Sequence, residues 1–162
     1  MLKESRPPFF PTMIDIYDRD VLIIGGGHVA ARRAYTLLKC GARVHAVSPE
    51  FIDEFPECTE RITRKFEPED IDSRFIFVIA ATDSRDTNRS IHDISNSQGI
   101  PVNVADSQNE CDFFFPSLIV HDNVSVSVNT SGISPSLTRR LSDRLRRVWS
   151  SWVEEEISTS LS

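Results

Sequence analysis

The sequence predicts an α/β fold: a doubly wound parallel sheet with a small C-terminal hairpin-plus-helix segment. Two observations carry this expectation. The apolar run Val21-Leu22-Ile23-Ile24 meets Gly25-Gly26-Gly27, and a helical pattern starts at once. Further apolar runs then alternate with helix-like stretches as far as Ala105, after which strict two-residue alternation takes over at Val124 to Val128. Strands separated by helices build parallel sheets, whereas strict alternation marks antiparallel hairpins.

Residues Pro7 to Pro11 are rich in proline and aromatic side chains and read as an irregular arm. Met13 to Tyr17 alternates apolar and acidic residues, as a half-buried edge strand does. Asp18-Arg19-Asp20 turns the chain into the first parallel strand, Val21 to Ile24. At the glycines, Gly25 permits a tight turn, and Gly27 lets the backbone come close to a phosphate. Ala30, in the place of a third glycine, still allows close helix–strand packing. His28 and Val29 open the helix, whose free N–H groups and positive dipole end suit an anion. Together these residues read as a dinucleotide-binding turn in a Rossmann-like sheet. Ala31 to Lys39 contains good helix formers, and Gly41 follows as the cap.

Val44 to Val47 is the second strand, broken by Ser48-Pro49-Glu50. Phe51 to Phe55 reads as a single helical turn. Ile62 to Phe66 is a short third strand, and Phe75 to Ile79 a buried fourth. Thr87 to Ser97 has helical spacing at Ile91 and Ile94 and stops at Gly99; Pro101 to Ala105 is the fifth strand. Phe113 to Val120 and Val124 to Val128 form a hairpin around Asp122-Asn123. Ser134-Pro135 then starts a helix with Leu137, Leu141, Leu145, Val148 and Trp152 on one stripe. The tail from Ser158 reads as frayed. The expected division is 1–112 for the nucleotide domain and 113–162 for the hairpin and helix. That second segment is thin, and its strand edge and apolar stripe need cover, which homodimerisation would supply.

The net charge of −6 argues against nucleic acid as a partner. Cys40, Cys58 and Cys111 are odd in number and far apart, and read as buried free thiols of a reducing compartment. The longest apolar stretch, Phe75 to Ala81, is too short to span a bilayer, and no secretory h-region precedes it. A cytoplasmic location is expected by elimination. His28, His45, His92 and His121 lack ligand-like spacing, so no metal site is expected.

Ligands of such sheets bind at the carboxyl ends of the strands. There Ser48, Ala80-Ala81-Thr82-Asp83 and Asn103-Val104-Ala105-Asp106 collect. Small residues at 80 and 81 let a ribose or nicotinamide approach, and Thr82 and Asp83 can bond its hydroxyls. Asp83 reads equally well as a helix N-cap. Asp106 is a candidate general base, or else a surface-turn aspartate. Ser48 stands where an acidic residue usually holds the adenine ribose. No arginine adjoins it in sequence to take a 2′-phosphate, which leans toward NAD over NADP.

Several stretches in series resemble one family: Val21 to Ala30 with Arg32-Arg33, Ser48-Pro49-Glu50, Ala80 to Asp83, Asn88, Pro101 to Asp106, Phe113 to Pro116, and Gly132-Ile133-Ser134-Pro135. Over about residues 8–150 the chain is similar to the precorrin-2 dehydrogenase / sirohydrochlorin ferrochelatases of sirohaem synthesis. The resemblance implies NAD-dependent oxidation of precorrin-2 to sirohydrochlorin and, in bifunctional members, insertion of ferrous iron. It implies pyrophosphate contacts at Gly25, Gly27 and Val29, with His28 in the same turn. Ser48 would lie at the adenosine, Thr82 at the nicotinamide side, and Asp106 in catalysis. It also implies a homodimer through the hairpin and helix. Family members continue into a helical domain, and some carry a methyltransferase region. Neither has a counterpart here, so another protein is expected to make precorrin-2. A rival expectation is an NAD-sensing dimer without catalysis; Asp106 together with the Gly-Ile-Ser-Pro turn favours the enzyme. An NADP-dependent reductase of another small substrate is a third reading.

Overall fold

The computed structural model describes residues 8–160. Its strands and helices follow in the order β1 (Asp20–Ile24), α1 (His28–Lys39), β2 (Arg43–Ser48), β3 (Glu60–Thr63), β4 (Val78–Ala80), α2 (Arg85–Ser97) and β5 (Val102–Val104). Then come β6 (Ser117–His121), β7 (Val124–Val128), α3 (Pro135–Arg146) and α4 (Trp149–Ser160). The first five strands form one parallel sheet in the order β3-β2-β1-β4-β5. The chain divides into two compact units, residues 14–114 and the hairpin with its helices from Phe115 onward. Residues 8–13 join the second unit, where the Phe9 N–H donates to Ser131 Oγ at 3.0 Å.

In the first unit, alternation along each central strand supplies two apolar faces. Leu22, Ile24, Val78, Ala80, Val102 and Val104 gather on one face beneath Ile91 of α2. Val21, Ile23, Val44 and Ala46 are equally buried and turn the other way, the side taken by Ala30, Ala34 and Leu37 of α1. Ala30 is fully buried, so the small side chain in place of the third glycine does bring α1 close to the sheet. Gly41, at φ +80°, follows the last turn of α1. Its N–H bonds Leu38 O and the Ala42 N–H bonds Leu37 O, which satisfies the helix's last carbonyls.

Several expected elements are corrected. Met13 to Tyr17 is not a strand. Both sides of β1 are already taken by β2 and β4, and Met13, Ile14 and Tyr17 remain exposed while Ile16 alone is buried. The third strand lies at 60–63 and not 62–66; after it Arg64 turns away to clasp Asp70 in the Pro68–Asp70 3-10 turn. The fourth strand begins at Val78. Phe75 to Phe77 run beside β1, but Val78 is the first to bond toward β5, through Pro101 O, and Pro101 has no N–H to continue the ladder. Residues 51–55 form an isolated turn closed by the Phe55 N–H on Ile52 O. Of the irregular arm, residues 8–11 are described and have no regular structure, while Pro7 lies outside the described residues.

In the second unit β6 and β7 form the expected antiparallel hairpin. The single expected helix is two. At Arg147 and Val148 the hydrogen bond tightens to Val148 N–H on Leu145 O, and the chain restarts as α4. The apolar residues from Leu137 to Trp152 therefore do not share one stripe; Leu141 and Trp152 stay exposed, and Ser142 and Val153 are buried. The tail is not frayed at Ser158: α4 runs to Ser160, with Ser158 and Ser160 hydroxyls back-bonded to Glu154 and Glu156 carbonyls. Leu161 and Ser162 lie outside the described residues. No described helix is long and apolar enough to cross a membrane.

One polar cluster anchors the start of the sheet. Asp20 receives Arg43 Nε at 3.0 Å and Nη2 at 2.6 Å, and its Oδ1 meets His45 Nε2 at 2.7 Å. The Arg43 guanidinium holds this carboxyl well below its ordinary 3.8. A depressed carboxyl contributes stability above its unfolded value and loses it as pH falls toward the folded one. Asp20→Asn is therefore expected to lower the thermal midpoint at pH 7, with the gap to wild type narrowing toward pH 3. A gap constant across that range, measured by circular dichroism melts, would contradict the assignment.

Candidate functional site

The register aligns Ile24 with Val47 on one side and Ala80 on the other, and Ala80 with Val104. Four strands thus end on one line. The chain runs from β1 outward through β2 and β3, then returns to the other side of β1 as β4, so the winding reverses between β1 and β4. Such a reversal opens a crevice at the carboxyl edge. The segments there are Gly25 to Gly27, Ser48, Ala81 to Asp83, and Ala105-Asp106.

The three glycines serve different ends. Gly25, at φ +130°, packs so tightly that a Cβ would collide with the Ala81 carbonyl. A Cβ on Gly26 would strike the Glu50 carbonyl and lie 2.8 Å from Ser48 Oγ. Gly26 thus fits the β2 turn, a role that the spacing of the motif does not reveal. Gly27 is the N-cap of α1, has ordinary extended backbone, and nothing among the described residues lies within 4 Å of where its Cβ would be. No packing among the described residues requires glycine at 27. The open space beside exposed His28 and Val29, at unbonded helix N–H groups, fits the diphosphate of a dinucleotide.

Ser48 is buried, and its hydroxyl donates to Glu50 O at 2.6 Å. Its proton is spent inside the turn, which leaves its oxygen as an acceptor. On β3, Thr63 pairs with Ser48 and Arg61 with Ala46, and the Arg61 guanidinium stacks 4.5 Å above the ring of Phe51, in the turn after β2. Sequence adjacency alone does not show this cation.

After β4 the chain is held by Asn88, fully buried on α2. Its Oδ1 accepts from the Thr82 N–H at 3.1 Å and the Thr82 hydroxyl at 2.7 Å; its Nδ2 donates to Thr82 O at 3.2 Å. The loop at the crevice is therefore shaped by a side chain from beneath it. The signal in the sequence was its place three residues before Ile91, on the apolar face of a helix. Ser84, and not Asp83, caps α2, accepting from the Thr87 N–H at 3.2 Å. Asp83 is exposed and free of that capping duty.

Asp106 follows β5 and is partly exposed. Its Oδ1 lies 3.4 Å from Arg85 Nη1, while Arg85 Nη2 makes a close pair with Glu110. Cys111 lies behind them with its Sγ 3.2 Å from the Val104 N–H, and burial pushes its thiol up. Of the expected buried thiols, Cys40 is exposed at the end of α1, and Cys58 and Cys111 are half-buried; all three are free. Among the described residues no group of three or more His, Cys, Asp or Glu could hold a metal ion.

Residues 12–117 match a protein-family model described as "Putative NAD(P)-binding". Among curated relatives, the siroheme synthase of Thioalkalivibrio sulfidiphilus is 41% identical over 142 residues, covering 85% of this chain and 29% of that protein. The siroheme synthase of Nitrosomonas eutropha is 39% identical over 143 residues, covering 85% and 30%. The chain thus spans about 30% of the length of these relatives. Among solved structures, SirC, a precorrin-2 dehydrogenase, superposes with a TM-score of 0.74 at 28% identity, covering 90% of this chain and 76% of that one.

Proposed function

The chain belongs to the NAD(P)-binding family of that model, and from this premise we propose that it is an NAD-dependent dehydrogenase oxidising precorrin-2 to sirohydrochlorin. The observation that carries this reading is an open glycine cradle and a carboxylate on one sheet edge, at the point where the winding reverses. Strands β1 and β5 are two strand spacings apart, about 10 Å. The names of the siroheme synthases and of SirC support the substrate. The experiment is anaerobic incubation with precorrin-2 and NAD.

Bound NAD supplies the hydride acceptor; the substrate gives up one hydride and one proton. The residues do the rest. Gly27 leaves room for the diphosphate, and the N–H groups of His28, Val29 and Ala30 face it. Asn88 fixes the Thr82 backbone, so the loop needs no reorganisation when the nicotinamide end is held there. Asp106 accepts the proton at a carboxylate oxygen. Ferrous iron enters this reading only as a second substrate, with the same carboxylate taking up pyrrole protons. No arginine adjoins Ser48 in sequence to take a 2′-phosphate, which supports NAD over NADP.

The second unit, with residues 113–162 as the associating segment, is proposed to make a homodimer. The hairpin and its helices leave the large apolar side chains Val120, Val124, Ile133, Leu141, Trp152 and Ile157 exposed, surface that a second copy would cover. Leu141→Asp is expected to give monomer in sedimentation velocity. Wild-type monomer at about 50 µM, above ordinary dimer dissociation constants, would overturn the dimer.

A further inference from the structure

Arg85 is the first residue of α2, where the positive end of the helix dipole disfavours a cation. Local helix chemistry does not account for an arginine there; the two carboxylates it reaches do. Its Nη2 makes a close pair with Glu110, and its Nη1 lies 3.4 Å from Asp106 Oδ1. Glu110 is itself fixed. It sits at the end of the Gln108–Glu110 3-10 turn, facing the basic side of α2 formed by Arg85, Arg89 and His92 at helical spacing. Its Oε2 is shielded from solvent and has no hydrogen-bond partner among the described residues, so its direct ion pair is the one Arg85 makes with Oε1. The bond to Glu110 is the shorter one, which makes Glu110 the anchor and Asp106 the more loosely held partner.

We propose that Arg85, anchored by Glu110, is a positioning residue that orients the Asp106 carboxylate for proton acceptance. The proposal rests on the dehydrogenase reading of the preceding subsection. The guanidinium touches one oxygen of Asp106 and leaves the other free to take a proton. Without it, a side chain on a loop after a short strand would sample several rotamers, and the aligned fraction would fall.

The test is a double-mutant cycle in anaerobic precorrin-2 oxidation under saturating NAD. Arg85→Met is expected to lower kcat about tenfold with KM within about twofold, and Arg85→Lys to restore part of the loss. In an Asp106→Asn background Arg85→Met should change nothing further, because the group it positions is gone. Arg85 is half exposed, so folding should survive; if Arg85→Met does not fold, Arg85→Lys and Glu110→Gln carry the same cycle. A loss confined to KM would make Arg85 a substrate contact and overturn the proposal. An equal loss in both backgrounds would make it structural and also overturn it. A wild type inert toward precorrin-2 overturns the dehydrogenase reading and this inference together, whereas an active wild type matched by Arg85→Met removes the inference alone.

Discussion

Gly27→Val is expected to weaken NAD binding at least tenfold, about 1.4 kcal/mol, while the protein stays folded. The reason is the difference among three adjacent glycines. At Gly27 an added Cβ meets nothing within 4 Å among the described residues, so the fold does not resist it. It would fill the space proposed for the diphosphate, beside the N–H groups of α1. Gly26→Val is the control with the opposite signature. Its Cβ would run into the Glu50 carbonyl, backbone that cannot step aside without opening the turn after β2. That variant should melt early or fail to fold, whatever its ligand. Calorimetric titration of folded Gly27→Val checks the first expectation, and unchanged affinity would remove the diphosphate from this turn.

Asp106→Asn is expected to leave NAD affinity intact and to lower turnover of precorrin-2 roughly 10²-fold or more, the range for loss of a general base. An amide keeps the shape and much of the hydrogen bonding of the carboxylate but cannot take the proton. The substitution also removes one of the two anions that Arg85 meets, while the close pair with Glu110 remains. The local structure should therefore persist, and the loss should fall on kcat. If it fell on the half-saturation concentration alone, Asp106 would bind substrate without accepting its proton. Equal rates would take it out of the mechanism.

The parallel sheet was legible because its signals are strong and local. An apolar run followed by three glycines and a helix former has few other solutions, and the runs at Val44, Val78 and Val102 fit strands buried on both faces. The sequence pattern misleads where pairing, not propensity, decides. Met13 to Tyr17 has the alternation of a strand, yet both sides of β1, the strand it leads into, are taken by β2 and β4. Phe75 to Phe77 has the composition of a strand, but the proline at 101 withholds the donor that would extend the ladder. The helix after Pro135 breaks at Arg147 with no glycine or proline to announce it.

At the site, the residues after the strand ends were legible as a set, because the fold class alone brings strand ends together. Their partners were not. Asn88 acts through three hydrogen bonds to a loop six residues earlier in the chain, and Arg85 through carboxylates 21 and 25 residues away. Gly26 looks like the spare residue of the motif until the β2 turn is seen against it. Asp83, an equal candidate for the cap, loses that role to its neighbour Ser84, whose hydroxyl has the better line to the Thr87 N–H.

The central claim is that this sheet edge joins a nicotinamide cofactor to precorrin-2 oxidation. The most direct measurement is the anaerobic absorption spectrum of the purified chain with precorrin-2 and NAD. The expected result is conversion to sirohydrochlorin with one NADH formed per tetrapyrrole, absent when either reactant is omitted. Precorrin-2 left unchanged by a protein that demonstrably binds NAD would contradict it.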